Sequence, residues 1–456
     1  MSLRFSELDG ASVGVWGAGR EIRSFAAQVA RRLPSARIAV VALDTDPGGN
    51  VRETLGVPRA RLAIGAQAPT ALAACDVVVR SPGVSIYRPE LRQLRDADLP
   101  VVTATGLWLA EREGRNVIGV TGTKGKSTTA ALIAHLARAT GQPTHLAGNI
   151  GVPALDLLDF PPEELAVVEL SSYQIADLET GPKVATLTNL FREHVDWHGS
   201  EEAYRSDKLR LFELPGVSVA VVDARDQSLL SPASDGDKTR LLYGTPEGWE
   251  MTSRGVTLAG ELMVSTADLP LRGEHNGVNL CAALASLTAF EIPAAPLPEA
   301  LRGFDALPHR LEPVLERDQV LWVDDSISTT PESTLAALAS FAARTIVLLG
   351  GGQDRGQDYA ELGRVLAERD ATVIGLPTTG GRIVSAAQTA GLPASRALEA
   401  DDMAAAVRQA QRLARPGGVV LLSPAAPSYD NYVNFEERAA HFRALADPPD
   451  RHSKGR

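Results

Sequence analysis

The sequence predicts an α/β protein with three domains, each built on a mostly parallel sheet. Short apolar runs rich in β-branched residues alternate with Ala- and Leu-rich stretches of helical period through most of the 456 residues. Such alternation is typical of βαβ units, in which a helix connects two neighbouring parallel strands. The strand candidates form three groups, which place the domains at residues 1–105, 106–306 and 307–456.

The first group of strand candidates predicts a small Rossmann-like domain. Its strands are SVGVWG at 12–17, RIAVVALD at 37–44 and DVVVRSPG at 76–83. Gly17 and Gly19 form a G-x-G turn after the first strand, although such a turn also occurs as a simple tight connection. Open α/β sheets bind ligands beyond the carboxyl ends of their strands, so the residues that follow these strands should line one crevice for a phosphate-bearing ligand. Those residues are Gly17, Gly19, Arg20, Asp44, Thr45, Ser81, Pro82 and Gly83.

The second and third groups predict a central domain and a C-terminal Rossmann-like domain. The central strands are NVIGVTG at 116–122, LAVVELSS at 165–172, VATLTNL at 184–190 and VSVAVVDA at 217–224. Short strands near residues 243–266 and a helix at NGVNLCAALASLTAF follow them. The C-terminal strands are VLWVDDS at 320–326, TIVLLGGG at 345–352, TVIGL at 372–376 and GVVLLSP at 418–424.

Composition excludes several classes of function. A formal net charge of -11 argues against a nucleic-acid or anionic-membrane partner, because such partners need a basic face. Cys75 and Cys281 are too few for a metal cluster or a disulfide framework, so we interpret both as core residues of a protein in a reducing compartment. With no signal peptide and no long apolar window, we expect a cytoplasmic protein that spans no membrane. A polar tail from about residue 447 is expected to be disordered.

The stretch VIGVTGTKGKSTT predicts a nucleotide site in the central domain. A strand leads into the glycine turn Gly122, Thr123, Lys124 and Gly125, and a helix begins with Lys126, Ser127 and Thr128. Backbone N–H groups of such a turn and the helix N-terminus attract phosphate, a lysine reaches the outer phosphates, and a hydroxyl binds Mg²⁺. The turn is shorter than the G-x-x-x-x-G-K-[ST] loop but keeps all of these parts.

Two further positions are candidate metal ligands. Glu169 ends the apolar strand of ELSSYQ, where a carboxylate can meet the metal of a nucleotide bound on a neighbouring loop, although a capping glutamate is the alternative. His194 follows the next strand in NLFREHVDWHG. The stretch has no thiolate and no H-E-x-x-H spacing, so a hard cation fits it better than zinc.

The order of these motifs resembles the ATP-dependent Mur ligases of peptidoglycan synthesis, and the resemblance spans essentially the whole chain. The motifs are TGTKGKST, GNIG, ELSSYQ, EH, SDKLRLF, HNGVNLCAAL, LPHRLE, DDS and LLSPAAPSYDNYVNFEERA, all in family order. The family also uses the short G-T-x-G-K-[ST] turn. A D-N-P-R motif is absent, which weighs against a diaminopimelate- or lysine-adding member. A folylpolyglutamate-type ligase is a distant alternative.

The resemblance implies an ADP-forming ligase that joins glutamate to UDP-N-acetylmuramoyl-L-alanine through an acyl phosphate. The three domains would bind the UDP-sugar, ATP and the amino acid in turn, with two Mg²⁺ ions and no organic redox cofactor. Lys126, Glu169, His194 and Lys208 would be catalytic, with Ser127 or Thr128 on one Mg²⁺ and Glu169, His194 and carbamylated Lys208 on the other. The remaining implied contacts are Asn149 to the UDP-sugar, and Asn276, Asn279, Arg310 and Asp325 to ATP.

One departure from the family concerns the amino acid. D-glutamate-adding members carry D-S-K-x-[TS] after the first C-terminal strand, whereas this chain has Ile327 in place of the lysine. The implied glutamate contacts are therefore Ser326, Ile327, Ser428 and Phe435, with Arg355 as a substitute cation. The stretch DSISTTP resembles a branch that adds L-glutamate, which implies a separate glutamate epimerase; D-glutamate remains the alternative. We expect a monomer.

Two unrelated classes of function remain as rivals. A non-catalytic nucleotide-binding scaffold gives no reason for Glu169, His194 and Lys208 to occur together. A nicotinamide dehydrogenase built on Gly17 and Gly19 would bind NAD tightly.

Overall fold

The computed structural model describes residues 2–45, 50–150, 152–191, 195–226, 238–271, 273–293, 296–304, 308–341, 343–354, 357–369, 371–428 and 430–447. The chain divides into two compact units, residues 1–304 and 305–456. His194, Arg355 and nearly all of the predicted tail lie outside the described residues.

The N-terminal part carries a five-stranded parallel sheet in the order β3-β2-β1-β4-β5. Its strands are β1 Ser12–Trp16, β2 Arg37–Leu43, β3 Arg61–Ile64, β4 Val77–Arg80 and β5 Val101–Val102. Its helices are α1 Arg20–Arg32, α2 Val51–Thr54, α3 Ala68–Leu72, α4 Pro89–Asp96 and α5 Ala104–Glu111. The three predicted strands are confirmed, and β3 and β5 add one strand at each edge.

The central part carries a six-stranded parallel sheet in the order β11-β10-β9-β6-β8-β7. Its strands are β6 Val117–Thr121, β7 Thr144–Gly148, β8 Leu165–Glu169, β9 Val184–Leu187, β10 Val219–Asp223 and β11 Thr239–Tyr243. A three-stranded antiparallel sheet follows, made of β12 Trp249–Thr252, β13 Gly255–Leu258 and β14 Glu261–Ser265. The helices are α6 Lys126–Ala139, α7 Ser172–Ile175, α8 Val195–His198, α9 Glu201–Leu209, α10 Glu274–Ala289 and α11 Leu297–Ala300.

The second unit carries a six-stranded sheet in the order β15-β16-β20-β17-β18-β19, parallel except for the antiparallel edge strand β15. Its strands are β15 Glu312–Arg317, β16 Val320–Asp324, β17 Ile346–Gly350, β18 Ala371–Gly375, β19 Ala397–Glu399 and β20 Val419–Leu422. Its helices are α12 Pro331–Ala339, α13 Ala360–Glu368, α14 Gly380–Thr389, α15 Met403–Leu413 and α16 Phe435–Ala446.

The strands in the middle of these sheets are buried because helices cover both faces. Every residue of β6, β8 and β9 is buried, as the continuous apolar character of these runs requires in a parallel sheet. Polar residues set the helix starts: Ser200 Oγ caps α9, Thr330 caps α12 and Asn434 caps α16.

The N-terminal and central sheets of the first unit share one apolar core. It joins Val13 and Val15 of β1 with Trp108 of α5 and Val168 of β8. Contacts between these two parts are therefore fixed by close packing. None of the helices in the described part of the chain is long and apolar enough to cross a membrane.

Candidate active site

The glycine turn between β6 and α6 has a conformation that only glycine fits. Gly122 has φ +145° and Gly125 has φ +81°, both in the region that side chains disfavour. A Cβ atom added to Gly122 would lie 1.9 Å from Thr188 Oγ1, and one added to Gly125 would lie 2.2 Å from Asn279 Oδ1. The turn therefore packs directly against the end of β9 and the start of α10.

Residues just past the end of β9 fix the conformation of the glycine turn by hydrogen bonds. Thr188 Oγ1 donates to the Lys124 carbonyl at 2.6 Å, and the Lys124 amide donates to Asn189 Oδ1 at 2.8 Å. Thr123 Oγ1 and Tyr204 OH lie 2.8 Å apart in a buried contact. Thr188, Asn189 and Tyr204 were not predicted as supports of the turn, although the polar ending of the apolar run VATLTNL was a signal for the first two.

The residues that follow the turn begin α6. Lys126 Nζ donates to the Thr123 carbonyl at 2.8 Å, while Ser127 and Thr128 are buried at the helix start. The predicted placement of the lysine and the two hydroxyls at a helix N-terminus is confirmed. Such a terminus attracts anions.

Glu169 lies beside the glycine turn, as the order of the strands requires. It is the last residue of β8, it pairs with Val120 of β6, and only 1% of it is exposed. Its Oε1 atom accepts a 2.9 Å hydrogen bond from Asn149 Nδ2. Its Oε2 atom is buried and has no hydrogen-bond partner among the residues that the structure describes. A buried carboxylate oxygen without a partner is costly, and a hard cation would satisfy it.

Lys208 reaches the same turn from α9. Only 2% of the residue is exposed, and Nζ donates a 2.8 Å hydrogen bond to the Gly122 carbonyl. The Tyr204 ring lies beneath the ammonium group, 5.1 Å away. Lys208 is therefore not a solvated surface lysine, and it shares one edge of the central sheet with Lys126 and Glu169. His194, which was predicted to join them, is outside the described residues.

The start of α10 brings the two predicted asparagines to the glycine turn. Asn279 is buried next to Gly125, and its Nδ2 atom donates to Asn276 Oδ1 at 3.3 Å. The side-chain amides lie where a base or sugar attached to a phosphate on the turn could reach them.

The predicted N-terminal crevice lies at the ends of β1, β2 and β4. Gly17 has φ +105°, and a Cβ atom there would lie 2.6 Å from Ser81 Cβ. Trp16 Nε1 donates to Asp44 Oδ1 at 3.1 Å, which joins the ends of β1 and β2. Gly19 precedes the first residue of α1. Thr45, Pro82 and Gly83 are partly or fully exposed beside them.

Arg20 connects this crevice with the central sheet. Its Nη2 atom donates to the Gly148 carbonyl at 2.7 Å and to the Asn149 carbonyl at 2.9 Å. Asn149 in turn binds Glu169. The predicted sugar-binding residues Arg20 and Asn149 thus also support the candidate metal ligand.

In the second unit, Asp325 lies just past the end of β16. Burial raises its pKa to about 6, and hydrogen bonds from Ser328 and Ser423 together with the charge of Arg310 offset part of that rise. The Leu311 amide donates to Asp325 Oδ1 at 3.2 Å. Arg310 and Asp325, both predicted nucleotide contacts, are therefore neighbours.

Two of the predicted amino-acid contacts in the second unit, Ser326 and Phe435, meet beside a buried arginine. Arg438 Nε donates to Ser326 Oγ at 2.9 Å, Arg438 Nη2 donates to the Ser326 carbonyl at 2.8 Å, and burial lowers the pKa of Arg438 to about 10. Ser326 Oγ also donates to the Phe435 carbonyl at 3.1 Å. Ser428 is buried, and Ile327 is partly buried. Arg438 was not among the predicted site residues, and the predicted cation Arg355 lies outside the described residues.

Three sheets of parallel strands, with a glycine turn and a buried carboxylate at one edge of the middle sheet, define a multidomain α/β nucleotide-binding protein. Residues 120–287 match the Mur ligase middle domain, and residues 309–426 match the Mur ligase, glutamate ligase domain. The chain belongs to the Mur ligase family. The family and fold class predicted from the sequence are confirmed.

Full-length relatives give the same assignment. The chain is 42% identical to the UDP-N-acetylmuramoyl-L-alanine--L-glutamate ligase of Micromonospora sp., over 96% of this chain and 97% of that protein. It is 39% identical to the protein of the same name from Xanthomonas campestris pv. campestris, over 97% of each chain.

Solved structures of the family share the fold. The UDP-N-acetylmuramate-alanine ligase of Thermotoga maritima is similar with a TM-score of 0.57 and 18% identity, over 95% of this chain and 98% of that chain. The MurF ligase of Thermotoga maritima, solved in complex with ADP, has a TM-score of 0.58 and 18% identity, over 98% of each chain.

Proposed function

We propose that this chain joins L-glutamate to UDP-N-acetylmuramoyl-L-alanine in an ATP-dependent reaction that releases ADP and phosphate. The full-length relatives carry the name of this activity. The observation that carries the proposal is the Glu169 carboxylate, buried with one unpartnered oxygen beside the glycine turn. A phosphate-binding turn and a hard-cation ligand at one sheet edge are what phosphoryl transfer requires.

The reaction needs activation of the acceptor carboxylate. An amine cannot displace oxide from a carboxylate at neutral pH, because oxide is a very poor leaving group. Transfer of the γ-phosphoryl group of ATP to the alanine carboxylate gives an acyl phosphate, from which phosphate can leave. The amine of glutamate then attacks the acyl carbon, loses a proton and forms the amide bond.

The chain's own residues position the phosphates. The glycine turn from Gly122 to Gly125 and the N-terminus of α6 bind the phosphate oxygens of ATP through backbone N–H groups. Lys126 neutralises charge that moves between the β- and γ-phosphates, and Asn276 and Asn279 face the adenine side. In the second unit, Arg310 and Asp325 supply the remaining contacts to the nucleotide.

Mg²⁺ fits the donor set at this edge. Ser127 and Thr128 offer hydroxyl ligands for one ion, and Glu169 with His194 and carbamylated Lys208 offers oxygen and nitrogen ligands for a second ion. When bound, the two ions neutralise the phosphate charge that opposes the approach of the acceptor carboxylate. The unpartnered Oε2 atom of Glu169 is the structural support for this arrangement.

The two substrates occupy the ends of the other two sheets. The UDP-sugar binds in the crevice formed by the ends of β1, β2 and β4, with Gly17, Gly19, Arg20, Asp44, Thr45, Ser81, Pro82, Gly83 and Asn149. Glutamate binds beside Ser326, Ile327, Ser428 and Phe435, with Arg355 as a cation for a carboxylate.

Ile327 supports the L-enantiomer. The two enantiomers of glutamate differ in configuration at the α-carbon, and in both the amine must reach the acyl phosphate. The carboxylate therefore lies in a different place in each enantiomer. A cation placed for D-glutamate should not occur at the same position in an enzyme that adds L-glutamate. Ile327 offers no charge at the position where D-glutamate-adding members have a lysine. A separate epimerase would then produce the D-centre; the enzyme would act as a monomer in the cytoplasm, without nucleic-acid or membrane partners.

The direct test offers purified protein ATP, Mg²⁺ and UDP-N-acetylmuramoyl-L-alanine with each glutamate enantiomer separately. We expect ADP release and the dipeptide product with L-glutamate only. Product with D-glutamate alone would overturn the stereochemical choice, and ADP release without any sugar-nucleotide product would overturn the ligase itself.

A further inference from the structure

A buried hydrogen-bond network joins the N-terminal loop after β4 to the helix that carries Lys208. Tyr87 OH donates to Asp207 Oδ2 at 2.8 Å, and His198 Nδ1 lies 2.6 Å from the same oxygen. His198 Nε2 lies 3.0 Å from Ser172 Oγ. Ser172, His198 and Asp207 are each at least nine-tenths buried. None of these four residues has a role in the reaction described above.

The chemistry of the Asp207 carboxylate fixes the direction of its hydrogen bonds. A carboxylate only accepts, so His198 Nδ1 and Tyr87 OH both donate to Asp207, and His198 Nε2 pairs with the Ser172 hydroxyl. Burial and the neighbouring Asp207 raise the pKa of Tyr87, which keeps its hydroxyl a donor. The network is fully paired, and fully paired buried networks rigidify what they join.

Asp207 and Lys208 are adjacent residues of one short helix, so what holds Asp207 also sets the rotation of Lys208. Tyr204, Asp207 and Lys208 are spaced i, i+3 and i+4, so the same face of α9 also contacts the glycine turn. Tyr204 OH meets Thr123 Oγ1 at 2.8 Å, and Lys208 Nζ meets the Gly122 carbonyl at 2.8 Å. Because the Asp207 side chain is short, a movement of its carboxylate also moves the backbone of α9. One face of the helix is therefore held both by the phosphate-binding turn and by the loop of the N-terminal domain that carries Tyr87.

Ring packing also holds Tyr87 next to the network. Its ring lies edge-on to Trp197, with the ring centroids 5.9 Å apart. Two residues earlier, Ser85 Oγ donates to the Trp197 carbonyl at 2.8 Å. Ser85 thus joins the same loop to α8 with a hydrogen bond of the same length, and it accepts a hydrogen bond from the Tyr87 amide at 3.3 Å, but its hydroxyl is not bonded to Asp207.

We propose that Tyr87 is a positioning residue for the reaction: through Asp207 it holds α9 in the rotation that places Lys208 against the glycine turn. The loop that carries Tyr87 also carries Ser81, Pro82 and Gly83 of the sugar-nucleotide crevice. The loop of the sugar-nucleotide crevice and the helix that carries Lys208 are thereby connected within the first unit. This inference rests on the proposed function of Lys208 as a residue of the metal site.

The test compares Tyr87→Phe, which removes one hydroxyl, with the matched control Ser85→Ala in the full chain. For Tyr87→Phe we expect kcat to fall by about tenfold, as for loss of one hydrogen bond to a charged group. KM for the sugar nucleotide should stay within about twofold, since the crevice itself is unchanged. Ser85→Ala should leave kcat near that of the wild type.

A double-mutant cycle with Asp207 separates positioning from general loosening. Asp207→Asn keeps an acceptor oxygen and should retain most of kcat, whereas Asp207→Ala should lose at least as much as Tyr87→Phe. Adding Tyr87→Phe to Asp207→Ala should not lower kcat further, because Asp207→Ala has already removed the contact that Tyr87→Phe breaks. Thermal midpoints of all variants identify any loss that reflects unfolding.

Several outcomes would overturn the inference: an equal fall of kcat in Ser85→Ala, a rise of KM alone in Tyr87→Phe, or additive losses in the cycle. Inactivity of the wild type with every substrate would instead count against the proposed function. The positioning itself is still tested in that case by a crystal structure of Tyr87→Phe. Lys208 Nζ should move out of hydrogen-bond reach of the Gly122 carbonyl, and an unchanged contact would contradict the inference.

Discussion

Asn149 Nδ2 donates a 2.9 Å hydrogen bond to Glu169 Oε1, whereas the buried Oε2 atom of the same carboxylate has no partner in the described part of the chain. One oxygen is thus fixed by the protein while the other is available to a cation. The arrangement orients the carboxylate at the strand end next to the glycine turn.

We predict that Glu169→Gln abolishes turnover without destabilising the protein. The amide cannot replace a carboxylate as a Mg²⁺ ligand, so activity should fall by about a hundredfold or more. Removing a buried charge with an unpartnered oxygen should leave the free energy of unfolding unchanged or slightly higher. ADP release as a function of Mg²⁺ concentration and urea unfolding measure the two effects. Glu163→Gln, at an exposed position before the start of β8, is the control and should behave as the wild type.

We predict that Gly125→Ala prevents nucleotide binding, whereas Gly141→Ala does not. Both glycines have left-handed backbone, with φ +81° and φ +85°, so each substitution should cost about 1–2 kcal/mol of stability. Only at Gly125 would the new Cβ also collide with Asn279, at 2.2 Å, while nothing lies within 4 Å of a Cβ at Gly141. ADP affinity by calorimetry should separate the two variants. Equal affinities would show that the close packing of the turn is not required.

We predict that Asp325→Asn stabilises the protein increasingly as the pH rises. Burial raises the pKa of Asp325 from 3.8 to about 6, so the folded state prefers the neutral acid. The stability contributed by that preference is fully present below about pH 3.8 and is lost as the pH rises through about 6. Asparagine stays neutral, so the variant should gain up to about 3 kcal/mol over the wild type by pH 8. Urea midpoints at pH 5 and pH 8 measure the change; a pH-independent difference would contradict the assignment.

The elements that positioned the site were predictable where the local pattern was strong. The apolar run before Gly122 had to be a buried strand, and Lys126 had to begin a helix, because strand, turn and helix signals were contiguous. Strand β7, with the sequence THLAG, was missed because it is short and has little β-branched character. The antiparallel edge strand β15 was missed for a related reason, since a half-exposed strand gives no continuous apolar run.

Contacts between distant residues were not predictable from one sequence. The pattern of α9, EEAYRSDKL, is that of a solvated helix, yet Lys208 is buried because the glycine turn packs over it. Likewise Asn149 meets Glu169 only because β7 and β8 are neighbours in the sheet. Arg438 looked like one of several charges at a helix start, and only the tertiary structure places it against Ser326. Tertiary packing, which no local pattern encodes, determines all three contacts.

We predict that breaking the buried ion pair of Arg80 and Asp177 strongly destabilises the first unit. Arg80 Nη2 lies 2.6 Å from Asp177 Oδ1, and the Arg80 side chain is fully buried. Asp177→Ala would leave a buried guanidinium without its carboxylate, so it should cost about 3–5 kcal/mol in urea unfolding. The control is Arg364→Ala at an exposed helical ion pair, which should leave stability unchanged. A small effect of Asp177→Ala would mean that water or Arg80 rearrangement compensates for the lost partner.

We predict that Ile327→Lys lets the enzyme accept D-glutamate. Ile327 is partly buried just past the end of β16, and its amide donates to the His309 carbonyl at 3.2 Å, so the backbone there is fixed while the side chain can reach solvent. A lysine at this place restores the cation that D-glutamate-adding members have. One charge-assisted contact is worth about 1.5–3 kcal/mol, which corresponds to an increase of roughly ten- to a hundredfold in kcat/KM for D-glutamate. Ile327→Met, of similar length but uncharged, is the control and should leave the enantiomer preference unchanged. If both variants raise D-glutamate use equally, side-chain shape at position 327 governs the preference; if neither does, the amino acid is held elsewhere in the second unit.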